Sequence, residues 1–270
     1  MIIPATLETS MCAWRRRIGE QVDCWTHVVI VRNGKSRTLR VPCKGLKALQ
    51  RSLNHDVLKH LDRERASYCR AGRGVLRAAA AHEHRPALLH RDIAKFFPSV
   101  SPSRVVRTLI GEGFSPYHAR LITSVCTLDG ELPQGAPTSV TLGNLVLKSL
   151  DRRLSALCRK HGLTYTRYVD DLAISGGEIR LRNIAAHIDR IIADEGWETG
   201  EDKGGLYGRG EYREYLGISV GGLLEVGKKS ASKFDAHFAA LEAGEIDLLT
   251  FRQRTGWARA VRANSYAKRG

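Results

Sequence analysis

Trp25 to Arg32 (WTHVVIVR) is a β-branched, partly alternating run, and Lys35 to Val41 (KSRTLRV) is a second one with basic residues at its polar positions. Such runs suit a pleated strand, and Asn33-Gly34 between them favours a tight type I′ turn, so a β-hairpin is predicted. From Gly45 to Cys69, Leu46, Leu49, Leu53, Val57, Leu58 and Leu61 recur near the 3.6-residue period, which predicts a helix. Ala87-Leu88-Leu89 is a short apolar strand that ends at Asp92. Ser101-Pro102 and Ser115-Pro116 each place a capping hydroxyl before a proline at the first helical position, so a short helix is expected after each. Thr138 to His161 reads as one longer helix stopped by Gly162. Leu163 to Val169 and Leu172 to Ser175 are strand-like, and Asp170 and Asp171 between them make a hairpin with two acids at its tip. Ile179 to Glu195 reads as another helix, and Gly204 to Val220 as short strands. The tail after Lys228 is helical in pattern, with Phe234, Phe238, Leu241, Leu248, Phe251 and Trp257.

Composition narrows the class. The 270 residues are 43% hydrophobic, enough for a core, and no repeat or low-complexity linker interrupts them. No apolar run approaches the roughly 18 residues needed to span a bilayer, and Met1 to Leu7 before Arg15, Arg16 and Arg17 is the wrong order for a signal peptide, so a cytoplasmic protein with no membrane partner is expected. Cys12, Cys24, Cys43, Cys69, Cys126 and Cys158 are scattered without a C-x-x-C pair and read as reduced thiols. The net charge is +15, carried unevenly: Arg15 to Arg91 holds 18 basic against 6 acidic residues, Asp92 to Gly227 holds 16 against 17, and Lys228 to Gly270 holds 9 against 4. Positive ends around a near-neutral middle attract a polyanion, and nucleic acid is the commonest one.

The near-neutral middle holds the candidate chemistry. Asp170 beside Asp171 is electrostatically unfavourable unless a cation is near, because like charges raise each other's pKa. Asp92 ends a strand expected to lie beside this hairpin in a mixed sheet. Three carboxylates brought together in this way suit a two-metal phosphoryl-transfer site, where Mg²⁺ activates one oxygen and stabilises the leaving one. An Asp-Asp pair in a surface turn, taken alone, is an ordinary structural feature.

Three segments add to these acids: RDIAKFFPS at 91–99, LPQGAPTS at 132–139 and YVDD at 168–171. In that order they closely resemble the A, B and C blocks of reverse transcriptases, over a stretch from about Val28 to the C-terminus. The spelling is similar to bacterial members (retron, group II intron and defence-associated enzymes) rather than retroviral ones. The resemblance implies that Asp92 and Asp170 are the main metal ligands, with Asp171 completing the cluster and the Ile93 carbonyl contributing. The cofactor it implies is Mg²⁺, as two ions, with Mn²⁺ as an alternative. Phe97 matches the bulky side chain that excludes a ribose 2′-hydroxyl and so selects dNTPs; the plain alternative is a core phenylalanine on a buried strand. Gln134 and Gly135 match the segment beside the incoming nucleotide, where glycine permits close backbone approach and Pro137 suits a helix start.

Further blocks are weaker. Gly196-Trp197 followed by Lys203 resembles the fourth block, where the lysine would serve as general acid for the leaving pyrophosphate. Tyr215-Leu216-Gly217 resembles the next, which grips the primer strand. Arg37 and Arg40 match finger positions that contact triphosphate and template, a task suited to a guanidinium that bridges two phosphate oxygens. Lys228, Lys229, Lys233, Arg252, Arg254, Arg259 and Arg262 correspond to a short thumb that reads the phosphate backbone, with Phe251 and Trp257 as core. Retron enzymes tend to carry N-A-x-x-H before the first acidic block; here Ala78 to His82 keeps the histidine and lacks the asparagine. They also typically show V-T-G where this chain has Tyr215-Leu216-Gly217, departures that fit a defence-associated enzyme outside the true retrons. His82-Glu83-His84 lacks further ligands at zinc-site spacing.

The expected fold is therefore α/β (α+β): a right-hand polymerase with an N-terminal extension and fingers at 1–90, a palm at 91–222 and a short helical thumb at 223–270. The palm would be an antiparallel-rich sheet backed by helices, with part of the fingers inserted around 101–135. The expected reaction is RNA-directed DNA synthesis from dNTPs on a non-coding RNA template, in a retron or antiphage defence system with an effector or toxin protein as a further partner. Two rivals are a catalytically idle RNA-binding protein that keeps the fold, and a polymerase that makes untemplated or protein-primed DNA.

Overall fold

The structure is a computed structural model and describes residues 3–19, 24–32, 35–243, 245, 247, 250, 255, 256, 258, 260, 261 and 263. In chain order its elements are α1 (Ala5–Gly19), β1 (Trp25–Arg32), β2 (Lys35–Pro42), α2 (Lys44–Asp56), α3 (Val75–Ala80), β3 (Ala87–Ile93), α4 (Phe96–Ser99), α5 (Pro102–Gly111), α6 (Pro116–Cys126), α7 (Ser139–Val146) and α8 (Lys148–Lys160). Then follow β4 (Thr164–Tyr168), β5 (Asp171–Gly176), α9 (Glu178–Asp194), β6 (Thr199–Tyr207), β7 (Glu214–Tyr215), β8 (Ile218–Ser219), β9 (Glu225–Val226) and α10 (Lys228–Glu242). They form two compact units, one from Met1–Glu64 with Lys95–Ser149, the other from Arg65–Ala94 with Leu150–Gly270.

In the first unit β1 and β2 pair antiparallel from Trp25↔Pro42 to Arg32↔Lys35, the register of the expected hairpin; its Asn33-Gly34 turn lies outside the described residues. Helix α2 buries Leu46, Leu49, Gln50 and Leu53, but the helix expected to run to Cys69 ends at Asp56. Val57 leaves the helical region (φ −126°, ψ −67°), and a single 3₁₀ turn, Leu58–His60, follows. The turn keeps Leu58 and Leu61 buried without a long helix, and buried Asp62 pins the exit by accepting from Asn144 Nδ2 at 2.8 Å. Both Ser-Pro starts behave as the sequence implies: Ser101 accepts from the Arg104 amide and Ser115 from the His118 amide, each with proline in the first turn. The helix expected over Thr138 to His161 is two helices, α7 and α8, broken at Leu147 (φ −84°, ψ 3°). Neither glycine nor proline announces this break. It keeps Leu147 buried while Lys148 Nζ reaches both Glu112 carboxylate oxygens, at 2.7 and 2.8 Å.

The second unit is built on a four-stranded sheet in the order β4-β5-β3-β6, antiparallel throughout. Side chains alternate between its faces, so residues two apart share one. On one face Arg91 forks onto Asp189 of α9 at 2.7 and 2.9 Å, and Tyr165 and Arg167 reach Asp151 of α8. The other face puts Leu88 and Ala173 into an apolar cluster with Ala78 and Ala79 of α3, Tyr215, Ile218, Val220, Leu224 and Val261. Each large aliphatic side chain removed from water there contributes about 1.5–3 kcal/mol. The small sheet β7-β8-β9 supplies part of this cluster. Among the described residues no disulfide joins any of the six cysteines, and no helix is long and apolar enough to cross a membrane.

Candidate active site

Register brings the acids together. In the β3–β5 ladder Asp92 stands opposite Asp171, and the next amide, Ile93 N–H, donates to the Asp170 carbonyl at 3.0 Å. Asp171 is the first residue of β5, paired with Tyr168, so only Val169 and Asp170 form the turn, and the tip carries one of the expected two acids. Val169 has φ +59°, a conformation that a β-branched residue adopts at a cost of about 1–2 kcal/mol. A buried strut holds it there. Arg167, fully buried, donates from Nη1 to the Val169 carbonyl at 2.8 Å while its Nε and Nη2 fork onto Asp151 at 2.8 and 2.7 Å. Tyr165 Oη donates to the same Asp151 carboxylate at 2.7 Å, so the buried pair is hydrogen-bonded as well as charge-balanced.

Asp92, Asp170 and Asp171 each offer an oxygen, and the three oxygens lie within 4.8 Å of one another. Asp92 is buried, the other two half-buried. At that separation or less each pair of unit charges repels by at least about 3.5 kcal/mol at an effective dielectric of about 20. A divalent cation among them reverses the sign of this term, and an all-carboxylate donor set suits a hard ion such as Mg²⁺ or Mn²⁺. The group therefore fits a metal ion on its donor chemistry, without fixing which one.

The sheet face that bears Asp92 and Asp171 continues as a polar network. His90 Nε2 lies 3.1 Å from Asp171 Oδ1, and the His90 ring meets Tyr215 edge-on at 5.8 Å. Tyr215 is fully buried and donates to the Asp171 carbonyl at 3.3 Å, and burial raises its pKa. Deeper in, His82 has Nδ1 2.7 Å from Ser175 Oγ and Nε2 2.7 Å from Thr166 Oγ1. Burial, then Arg85 and His90, lower the His82 pKa to about 3. With both ring nitrogens engaged, His82 is no metal ligand.

The other expected site residues fall in several places. Ile93 is buried in the ladder beside the acids. Phe97, Gln134, Gly135, Arg37 and Arg40 belong to the first unit. Phe97 sits on the single-turn helix α4, half-buried, and it is Phe96 that fills the core. Gly135 (φ +111°) runs against β2, where a Cβ would stand 3.3 Å from the Arg40 carbonyl, and the Gln134 carbonyl accepts from the Arg40 amide at 2.7 Å. The Arg40 side chain is held by Glu131 and, at 3.7 Å, by Asp129. Arg37 lies on β2 opposite Ile30. Lys203 lies on β6, and Leu216 and Gly217 (φ +54° and +80°) make the turn between β7 and β8. Lys228 opens α10 with its ammonium 4.7 Å from the Tyr212 ring centroid. The side chains of Arg37, Lys203 and Lys229, and all of Phe251, Arg252, Arg254, Trp257, Arg259 and Arg262, lie outside the described residues. Sequence reasoning passed over His90, Asp151 and Arg167. His90 had a signal, since it stands two residues before Asp92 on the same strand; Asp151 had none.

An acid-bearing antiparallel sheet backed by helices is the arrangement of a template-directed polymerase palm. The chain belongs to the reverse transcriptase (RNA-dependent DNA polymerase) family, whose profile matches residues 29–220. It is 33% identical to the retron Mx65 reverse transcriptase of Myxococcus xanthus over 231 residues, 78% of this chain and 54% of that one. It is 29% identical to the retron Ec86 reverse transcriptase of Escherichia coli, over 69% of this chain and 59% of that one. The chain thus spans about half the length of these curated relatives. In structure it resembles telomerase from Candida albicans, solved with a fragment of telomeric RNA, with a TM-score of 0.61 at 10% identity over 99% of this chain and 58% of that one. The fold is the right-hand polymerase fold expected from the motifs.

Proposed function

We propose that this chain is the polymerase portion of a retron-type reverse transcriptase that extends a primer with dNTPs on a non-coding RNA template. The observation that carries the reading is the convergence of Asp92, Asp170 and Asp171 within 4.8 Å, in a chain whose family match includes all three. In the proposed roles Asp92 and Asp170 hold two divalent ions, Mg²⁺ or Mn²⁺, with Asp171 and the Ile93 carbonyl completing the set. Bound there, the ions would lower the pKa of a primer hydroxyl and offset charge on the leaving pyrophosphate. The strut through Arg167 fixes the turn that presents Asp170, and the β3–β5 ladder fixes Asp171 against Asp92, so the carboxylates are preorganised before substrate arrives.

The remaining assignments follow the motif blocks: Phe97 selects against a 2′-hydroxyl, and Gln134 and Gly135 pack beside the incoming dNTP. Arg37 and Arg40 meet its phosphates, Lys203 protonates pyrophosphate, and Tyr215-Leu216-Gly217 with Lys228, Lys229, Arg252 and Arg254 hold nucleic acid. Fingers at 1–90, palm at 91–222 and thumb at 223–270 complete the proposal, with antiphage defence in the cytoplasm as the setting and an effector protein as a further partner.

Replacing Asp170 and Asp171 together with Asn tests it. Incorporation of dNTPs on an RNA template is expected to fall at least about 10³-fold, the scale of losing charge stabilisation at a reacting centre, while RNA binding persists. Incorporation that survives would remove these acids from the chemistry. A product whose sequence ignores the RNA, or that migrates with protein until protease is added, would favour the untemplated or protein-primed rival.

A further inference from the structure

Away from the acids, the second unit has an open cleft of about 570 Å³, lined by the entry to β3 (His84, Arg85, Pro86), by Arg209 to Arg213, and by Ser219, Gly221 and Gly222. Pro86 stands just before β3 and precedes Asp92 by six residues, about 20 Å at ~3.3 Å per residue, so the cleft is separate from the active site.

Arg213, only 6% exposed, lines it. Its Nη1 donates to the Arg85 carbonyl and its Nη2 to the Gly221 carbonyl at 3.2 Å, while its Nε has no hydrogen-bond partner. No carboxylate pairs with this guanidinium among the described residues. Glu178 feels its field, but that carboxylate is taken by Arg182 and by the Arg209 amide. Two exposed guanidiniums, Arg85 and Arg209, rim the same cleft and make no side-chain hydrogen bond or ion pair among the described residues. Against these three cations the lining offers one carboxylate, Glu211, which accepts from the Gly208 amide. A buried charge is ordinarily balanced by a partner, and the one absent here is an anion. Guanidinium forks match phosphate oxygens two at a time, and an open cleft with exposed rim cations suits a polymer passing over it better than an enclosed ion.

We propose that this cleft binds a backbone phosphate of folded RNA, giving the chain a nucleic-acid contact remote from the acids; the inference rests on the RNA-partner reading above. The test uses the full chain and a fluorescein-labelled hairpin RNA, with Kd read by anisotropy across a salt series. The double variant Arg85→Glu/Arg209→Glu is expected to raise Kd at least about tenfold and to flatten the slope of log Kd against log salt by about 1 to 2. Arg159→Glu/Lys160→Glu on α8 makes the same change in charge at exposed positions that do not line the cleft and is expected to raise Kd less than about threefold. If the two double variants behave alike, or the arginine variant binds as wild type, the proposal is overturned. Inorganic phosphate at matched ionic strength separates the sources: erasing the difference between wild type and arginine variant would make this a free-phosphate site and overturn the RNA reading. Primer extension by the wild-type chain, run in parallel, reports on the polymerase reading independently.

Discussion

His82 is held neutral by its surroundings: two hydroxyls at 2.7 Å occupy its ring nitrogens, and burial, Arg85 and His90 bring its pKa down to about 3. In the unfolded chain the same ring titrates near 6.5. Between those values the unfolded state binds the extra proton, so this contribution to stability is complete above about pH 6.5 and is lost as pH falls toward about 3. A difference of that size corresponds to a loss of at most about 5 kcal/mol at the acid end. Urea denaturation of wild type and His82→Gln between pH 7 and pH 4 checks this; wild type should lose up to about 1.4 kcal/mol per pH unit more than the variant. Parallel curves would mean that His82 is not held neutral. The sequence marked His82 through a motif that keeps the histidine and lacks the asparagine. It could not show the partners, because Thr166 and Ser175 lie more than 80 residues away and reach the ring only through strand register.

The hairpin β4–β5 depends on a residue outside it. Asp151 on α8 holds Arg167, which holds the Val169 carbonyl and with it the left-handed residue that sets Asp170 in place. Asp151→Asn strips the charge partner from a fully buried guanidinium and is expected to cost about 3–5 kcal/mol, measured by urea denaturation. Asp151→Leu/Arg167→Met removes both charges and should recover most of that stability. It still lacks the donor to Val169, so dNTP incorporation should remain depressed by about tenfold or more. Incorporation that recovers along with stability would reduce the strut to a core feature. Elements whose signals are local were legible: the β1–β2 register, both Ser-Pro starts and the strand that carries Asp92, which runs one residue further, to Ile93. Those set by packing were not. The break at Leu147 follows from burying that side chain and pairing Lys148 with Glu112, and the end of α2 from burying Leu58, Leu61 and Asp62. The three acids fell between these cases, visible as motifs but joined only by the β3–β5 pairing.

The chain as a whole carries +15, and the excess lies outside the stretch that holds the acids, since Arg15 to Arg91 alone is positive by twelve. A polyanion held by such a surface releases counterions, so affinity should fall steeply with salt: for six to ten phosphate contacts, about 10³- to 10⁵-fold between 50 and 200 mM. Asp170→Asn/Asp171→Asn makes the chain two units more positive, so if the basic surfaces hold the nucleic acid, this variant should bind an RNA–DNA duplex as tightly as wild type or a few-fold tighter, with an unchanged salt slope. Titrations in EDTA and in Mg²⁺ separate the alternatives. Binding that weakens in the variant, or that weakens in wild type when Mg²⁺ is removed, would place the main hold on nucleic acid at the acids and their cations. Binding that stays level in both would assign affinity to the arginines and lysines, and leave the carboxylates to chemistry alone.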